Sequence, residues 1–389
     1  MSNPRAFKQN QTRKERAAAK AAAPAAKALP AERLLRYDNL RAVVMFFVVL
    51  NNFFLLDLTN RMGEQAEFFA EHQAVSAFLG MAESLTLPLF VFFAGYFGKR
   101  YLQSSERLYR RLVNVFTVFV FTRIITVISA SIVAKGFAYQ YMGADFFMLA
   151  MGLWLLIAWP FRKYRGTPVL TVVLLVSCFL TLVPYEKVED QLLVLKFVYM
   201  LPFFFAGVYW KEDFLRKLSL KMQKWLGCGG LVLLLVLFYF LPKEFYAQYI
   251  GSEESRAFLD PYFDYWQPLI RLGLYGLQFL CCLCAVLAIP TRKVPILTTI
   301  GQRSMQIYVL HIPPMLFFVN LGVGEAMGLE TMPVTSFAWI CLGISLGVVL
   351  LLHLKAFGLL LLPVLKCARW LEVKLKELDS KLRSAEYQI

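Results

Sequence analysis

A run of mostly apolar residues, about as long as the hydrocarbon core of a bilayer is thick, recurs along this chain. Most runs hold roughly 17 to 25 residues, enough to carry a helix across about 30 Å of hydrocarbon. The runs fall near residues 38–58, 74–97, 112–134, 146–160, 168–184, 193–210, 226–242, 267–290, 304–320 and 335–355. The fourth and fifth are short and divided mainly by residues 161–166. Composition agrees, since 59% of the 389 residues are hydrophobic and 17% are charged, a balance suited to lipid rather than to water. The expected fold is all-α: a polytopic transmembrane helical bundle of about ten spans, with both termini cytoplasmic.

Charge placement tests that frame independently, because cytoplasmic loops hold an excess of Lys and Arg. With the N-terminus inside, the inner loops 98–111, 159–167, 211–225 and 291–303 carry 16 basic and 3 acidic residues. The outer segments 59–73, 135–145, 185–192, 243–266 and 321–334 carry 5 basic and 14 acidic residues. A miscount by one span would scramble this asymmetry. Much of the net charge of +15 sits in residues 1–36, where nine basic residues face two acidic ones. That Ala-rich segment has little to bury, which predicts a disordered cytoplasmic tail drawn to anionic lipid headgroups. No aromatic or glycine-rich RNA motif accompanies the charge, so nucleic acid is not an expected partner.

The first apolar run lacks a small-residue cleavage site and continues to Asp57, so it is expected to be a retained helix rather than a signal peptide. Residues 37–363 form the expected membrane domain. Residues 364–389 carry Leu371, Leu375, Leu378 and Leu382 at helical spacing and predict a short amphipathic cytoplasmic helix, on the inner membrane surface or solvated. Of the seven cysteines, Cys178, Cys281, Cys282, Cys284 and Cys341 fall inside apolar runs, and Cys228 and Cys367 fall near inner interfaces. Neither a disulfide framework nor a metal site is expected from them.

Inside the runs remain Arg41, Arg123, Lys196, Arg271, Lys355, Asp38, Asp57 and Glu83. A charge in hydrocarbon costs from about 2.5 kcal/mol upward, so it faces a partner or a watery cavity. Asp38, Asp57, Lys196, Arg271 and Lys355 lie near run ends, where snorkelling accounts for them. Glu83 and Arg123 lie deeper and are expected to pair, as a structural or a functional ion pair. His311 lies about 12 Å into the ninth run, where Pro313 and Pro314 should break the helix and free backbone carbonyls. It reads equally as a structural hydrogen bonder or as a catalyst.

Five segments carry a resemblance. Tyr37-Asp38-Asn39-Leu40-Arg41 opens the first run with an Asp-x-Leu-Arg pattern. Leu87-Pro88-Leu89-Phe90, continuing to Ala94-Gly95-Tyr96-Phe97, ends the second, and Leu153-Trp154-Leu155-Leu156 lies in the fourth. Leu201-Pro202-Phe203-Phe204-Phe205-Ala206-Gly207 lies in the sixth, and Gly301-Gln302-Arg303-Ser304 leads through Tyr308 to His311 in the ninth. In order and topology these segments resemble the motifs of the type-3 membrane acyltransferases, which O-acylate surface glycans and lipids.

The resemblance implies an acyl-CoA donor, with acetyl the expected group, and as acceptor a hydroxyl of a cell-surface or lipid-linked glycan. It implies membrane lipids as surroundings, the bacterial cytoplasmic membrane as location, and no metal. Arg41 would hold the donor with Arg107 and Arg110, which match the family's paired arginines. Guanidinium forks suit coenzyme A phosphates. In that family a histidine follows the first arginine by eleven residues; here position 52 is Asn. A carboxamide has no usable pKa, so Asn52 would orient substrate, and His311 or Glu83 would be the base. Asp38, Arg123 and Trp154 would line the substrate path. The alternative is a non-catalytic carrier or scaffold for an acylated or anionic ligand.

Overall fold

The computed structural model describes residues 31–62, 72–133, 145–182, 192–211, 215, 217–241, 267–320 and 333–386. Among them every regular element is helical and none is a strand. In chain order the helices are α1 (Ala31–Met62), α2 (Gln73–Gly98), α3 (Ser105–Val133), α4 (Asp145–Phe161) and α5 (Gly166–Phe179). They continue with α6 (Leu192–Tyr209), α7 (Leu220–Tyr239), α8 (Gln267–Ala288), α9 (Pro295–Gln302), α10 (Ser304–Leu310) and α11 (Ile312–Asn320). The last are α12 (Val334–Leu352), α13 (Lys355–Leu359) and α14 (Leu362–Glu386). Residues 1–30 of the expected tail and most of the outer segments lie outside the described residues.

Helix covers each of the ten apolar runs, with shifted bounds. α1 starts at Ala31 and α3 at Ser105, both several residues ahead of their apolar runs. Polar first turns extend them because a helix end needs only a first turn of good helix formers, which hydropathy does not register. By length and apolarity alone, α2, α3, α7 and α8 are long enough to cross a membrane, or up to five helices when the pair bent by 60° after Leu352 counts as one. The ninth run is divided as its prolines predict. α10 ends at Leu310, and α11 begins at Ile312 with Pro313 and Pro314 in its first turn, where a missing N–H costs nothing.

Outward faces are apolar. On α3, Val120, Ile124, Ile128 and Ile132 recur every fourth residue and are 52%, 51%, 53% and 59% exposed. α7 shows Val232, Leu233, Val236 and Leu237 in the same way. A stripe of this extent is incompatible with water and is what a lipid-facing helix presents. Inward faces carry Thr122, Thr126 and Ser129 on α3 and Ser76, Ser84 and Thr86 on α2. Their hydroxyls can bond back to the preceding turn, as Thr122 does to Val118 and Ser84 does to Gly80.

α2 and α6 form the central crossing, and glycines on both sides permit it. A Cβ on Gly95 would stand 2.0 Å from the Phe204 carbonyl oxygen, and one on Gly207 would stand 2.1 Å from the Phe92 carbonyl oxygen. The helices therefore meet backbone to backbone, the close packing that small residues allow in membranes. A second close approach fixes α9 against α1, where a Cβ on Gly301 would overlap the Asp38 carbonyl. Beside it, Asn39 donates to the Pro290 and Arg292 carbonyls and accepts from Thr298.

Gly207→Ala is expected to destabilise the purified protein by at least about 1–3 kcal/mol, the usual cost of overpacking. Gly343→Ala, where a Cβ meets open space, is expected to leave thermal unfolding unchanged or slightly raised. Equal melting of the two variants would contradict the backbone crossing.

Candidate active site

The close packing of α9 on α1 sets up a cavity of about 420 Å³ at that end of the bundle, within the range of small-molecule sites. Asp38 and Arg41 of α1 line it, with Phe90, Phe93, Ala94 and Phe97 of α2, Arg100 and Tyr101 just beyond, and Arg111 of α3. Phe147, Met148, Met151 and Leu155 of α4 and Ser304 and Met305 of α10 complete the wall. Its wall is therefore mainly aromatic and thioether, with three guanidinium groups set into it.

Each charge is held. Arg41 donates from Nη2 to Ser304 Oγ at 2.5 Å and faces Asp38 Oδ1 at 3.4 Å, while its guanidinium lies 5.3 Å from the Phe97 ring centre. Asp38 also accepts from Gln302 Nε2 at 3.2 Å. Arg100 donates to the Tyr101 hydroxyl at 2.6 Å, and Arg111 donates to Met151 Sδ at 3.7 Å and lies 5.3 Å from the Tyr101 ring. Three guanidinium groups against one carboxylate make an anion site.

The segment 301–311 accounts for most of this geometry. Gly301 lets α9 touch α1, Gln302 holds Asp38, and Ser304 holds Arg41. Arg303 and Gln306 donate to the carbonyls that end α12, at His353, Leu352 and Leu354. Tyr308 stacks on Phe90 at 4.9 Å and meets Phe147 at 5.4 Å, edge on. These three rings form an aromatic layer at the deep side of the cavity.

Behind that layer lies His311, 1% exposed, its ring 5.8 Å from that of Tyr308. Its Nδ1 is 2.8 Å from the Tyr308 carbonyl oxygen. A carbonyl cannot donate, so Nδ1 carries the proton and Nε2 of the neutral ring holds the lone pair. Nε2 is buried without a protein partner among the described residues. A buried orphan acceptor of this kind is satisfied by a substrate or a water, and a neutral imidazole with a free Nε2 is equipped to take a proton.

Helical phase links the two levels. Arg41, Met45, Val48 and Asn52 lie on one face of α1, which sets Asn52 about 16 Å beyond Arg41. Ala94, Phe90, Leu87 and Glu83 run likewise along α2, and Ser304 and Tyr308 along α10 to His311 at its C-cap. At the deep end Asn51 Nδ2 donates to Glu83 Oε2 at 2.9 Å, and Asn52 Nδ2 donates to its own helix at Val48.

Several sequence expectations move. Glu83 is partnered by Asn51 and not by Arg123, which is half-buried along α3. Arg107 and Arg110 are exposed and do not line the cavity. Arg107 donates to Gln103, while Arg110 pairs with Glu106 at 2.7 Å and with Glu372 of α14 at 2.9 Å. The cavity's arginines are instead Arg100 and Arg111. Arg111 continues the inward stripe of Val115, Val118, Thr122, Thr126 and Ser129, from which Arg110 is turned by about 100°, whereas Arg107 shares the phase but lies one turn nearer the helix start, where it bonds Gln103. Trp154 is fully buried, donates to the Phe197 carbonyl at 3.1 Å and stacks on Phe197, so it packs the wall behind Met151 and Leu155.

Inorganic pyrophosphate is a simple probe of the three guanidinium groups and is expected to raise the melting temperature of the purified protein. Losing one charge-assisted donor costs about 1.5–3 kcal/mol, so Arg41→Gln or Arg111→Gln should weaken the apparent affinity roughly tenfold or more. Arg107→Gln should not. An equal loss in Arg107→Gln would contradict the assignment.

Comparison with known proteins identifies a family. The profile of a family described as an acyltransferase domain matches residues 34–354, which contain the cavity and His311. No curated protein and no solved structure matches the chain.

Proposed function

Because this chain belongs to the acyltransferase-domain family, acyl transfer within a membrane is its chemistry, and we propose that its donor is an acyl-coenzyme A held by Arg41, Arg100 and Arg111. The observation that carries this reading is the convergence of three guanidinium groups in one cavity that is otherwise aromatic and sulfur-lined. Guanidinium forks bind phosphate oxygens in pairs, and the apolar wall suits the pantetheine arm. The excess of Lys and Arg in the loops at this end supports a cytoplasmic position for it, where coenzyme A is found.

The thioester passes the Phe90, Phe147 and Tyr308 layer to reach His311. There Nε2 takes the proton of an acceptor hydroxyl as its oxygen attacks the thioester carbonyl carbon. The carbon–sulfur bond breaks, coenzyme A leaves as thiolate, and the proton held on His311 passes to that sulfur. Glu83 and Asn51 hold each other in place, and Asn52, with its amide nitrogen engaged by Val48, keeps its oxygen for the acceptor. The acyl group is acetyl, and the acceptor is a hydroxyl of a cell-surface or lipid-linked glycan at the bacterial cytoplasmic membrane.

One observation favours a second reading. Position 52 carries a carboxamide where the resembled family has an imidazole, which suits a carrier that binds the acylated ligand without turning it over.

Acyl-CoA hydrolysis and acceptor acylation by the purified protein separate the two. His311→Ala should lower kcat about a hundredfold or more, the usual contribution of a positioned base, with little change in donor affinity. Glu83→Gln should cost less. Wild-type silence across acyl donors with intact donor binding would establish the carrier, and a large gain in Asn52→His would mark a lapsed enzyme. Full activity in His311→Ala would remove His311 from the mechanism.

A further inference from the structure

A second cavity, of about 480 Å³, opens on the opposite side of the start of α1 and plays no part in the chemistry above. Arg36 of α1, Lys221 and Lys224 of α7 and Arg292 of the segment between α8 and α9 supply its charge. Leu220, Leu287, Ile289 and Pro290 supply an apolar floor. Among the described residues, no carboxylate lies within ion-pair distance of Lys221, Lys224 or Arg292.

The site is built rather than merely charged. Arg36 is 7% exposed and donates from Nη2 to Gln223 Oε1 at 2.6 Å. Gln223 is itself buried, its amide nitrogen held by the Leu215 and Leu218 carbonyls at 2.7 and 2.8 Å. A guanidinium is thereby fixed at the cavity's inner end, and three exposed cations from two other segments surround the mouth. A solvated positive loop needs no such internal framework.

We propose that this cavity binds the headgroup of an anionic phospholipid. The apolar floor argues for a lipid rather than a free phosphate. It continues onto the outer face of α7, where Leu220, Met222, Trp225 and Leu226 are exposed, so acyl chains have a surface to follow away from the cations. Basic pockets between membrane helices on the cytoplasmic side recognise anionic headgroups by this combination of charge and adjoining hydrocarbon. The site also touches the cavity of the proposed donor through one turn of α1. Asn39 donates to the carbonyls of Pro290 and Arg292 that border the lipid site, while Asp38 and Arg41 face the other way.

Native mass spectrometry of the full-length protein in neutral detergent tests this with dioleoyl phosphatidylglycerol, dioleoyl phosphatidylcholine and inorganic phosphate as probes. Retention of phosphatidylglycerol well above phosphatidylcholine is expected, undiminished by millimolar phosphate. Lys221→Gln/Lys224→Gln/Arg292→Gln should lower that retention on the order of a hundredfold, at roughly fivefold per cation. All three side chains are exposed, so the bundle should fold, and Lys221→Arg/Lys224→Arg should retain the lipid. Lys163→Gln/Arg165→Gln, on another inner loop, should also retain it. Equal retention of phosphatidylcholine, displacement by phosphate, an unaffected triple variant or an equal loss in the loop control would each overturn the proposal.

Discussion

A guanidinium carried into the wall of a membrane helix has to be met by acceptors, because hydrocarbon offers it none. Arg41 is met by Asp38 within α1 and by Ser304 from across the interface, and the second contact requires that α10 lie directly on α1. Gly301 makes that possible by removing the side chain that would strike Asp38. The inner cavity is the space left beside this contact, so the anion site exists because one arginine has been satisfied from across a helix interface.

From that contact the site extends in layers. Cations and Asp38 occupy the mouth, the rings of Phe90, Phe147 and Tyr308 lie below it, and His311 lies behind the rings with Nε2 unengaged by any described residue. The layers divide the labour that acyl transfer demands. Phosphates need charge near water, whereas a base works best where water does not compete for its lone pair. On the far side of the same turn of α1, Arg36 and its neighbours form the second basic cavity, so the start of α1 is lined by cations on both flanks.

Periodicity carried much of this. Apolar runs located the helices, and Pro313 and Pro314 located the interruption that frees His311. Asp38, Arg41 and His311 stood out because charge and imidazole are rare in hydrocarbon. What one dimension could not supply was which faces meet. Arg107 and Arg110 share the first turns of α3 with Arg111, but Arg110 is turned about 100° from it and Arg107, on nearly the same face, lies one turn nearer the helix start and bonds Gln103, so only Arg111 reaches the cavity. The expected partnership of Glu83 with Arg123 failed for the same reason, because depth along two helices does not make them neighbours, and Asn51 on the adjoining α1 is the partner. Trp154 looked functional as part of a motif, yet its indole is spent on the Phe197 carbonyl and ring.

The central claim is that one cavity delivers a coenzyme A thioester to His311. A cryo-electron microscopy map of the protein with coenzyme A bound tests it most directly. The account predicts phosphate density among Arg41, Arg100 and Arg111, with the pantetheine arm directed at Phe90, Phe147 and Tyr308 and its sulfur toward His311. Coenzyme A bound at Arg107 and Arg110, or with its sulfur turned away from the aromatic layer, would contradict it.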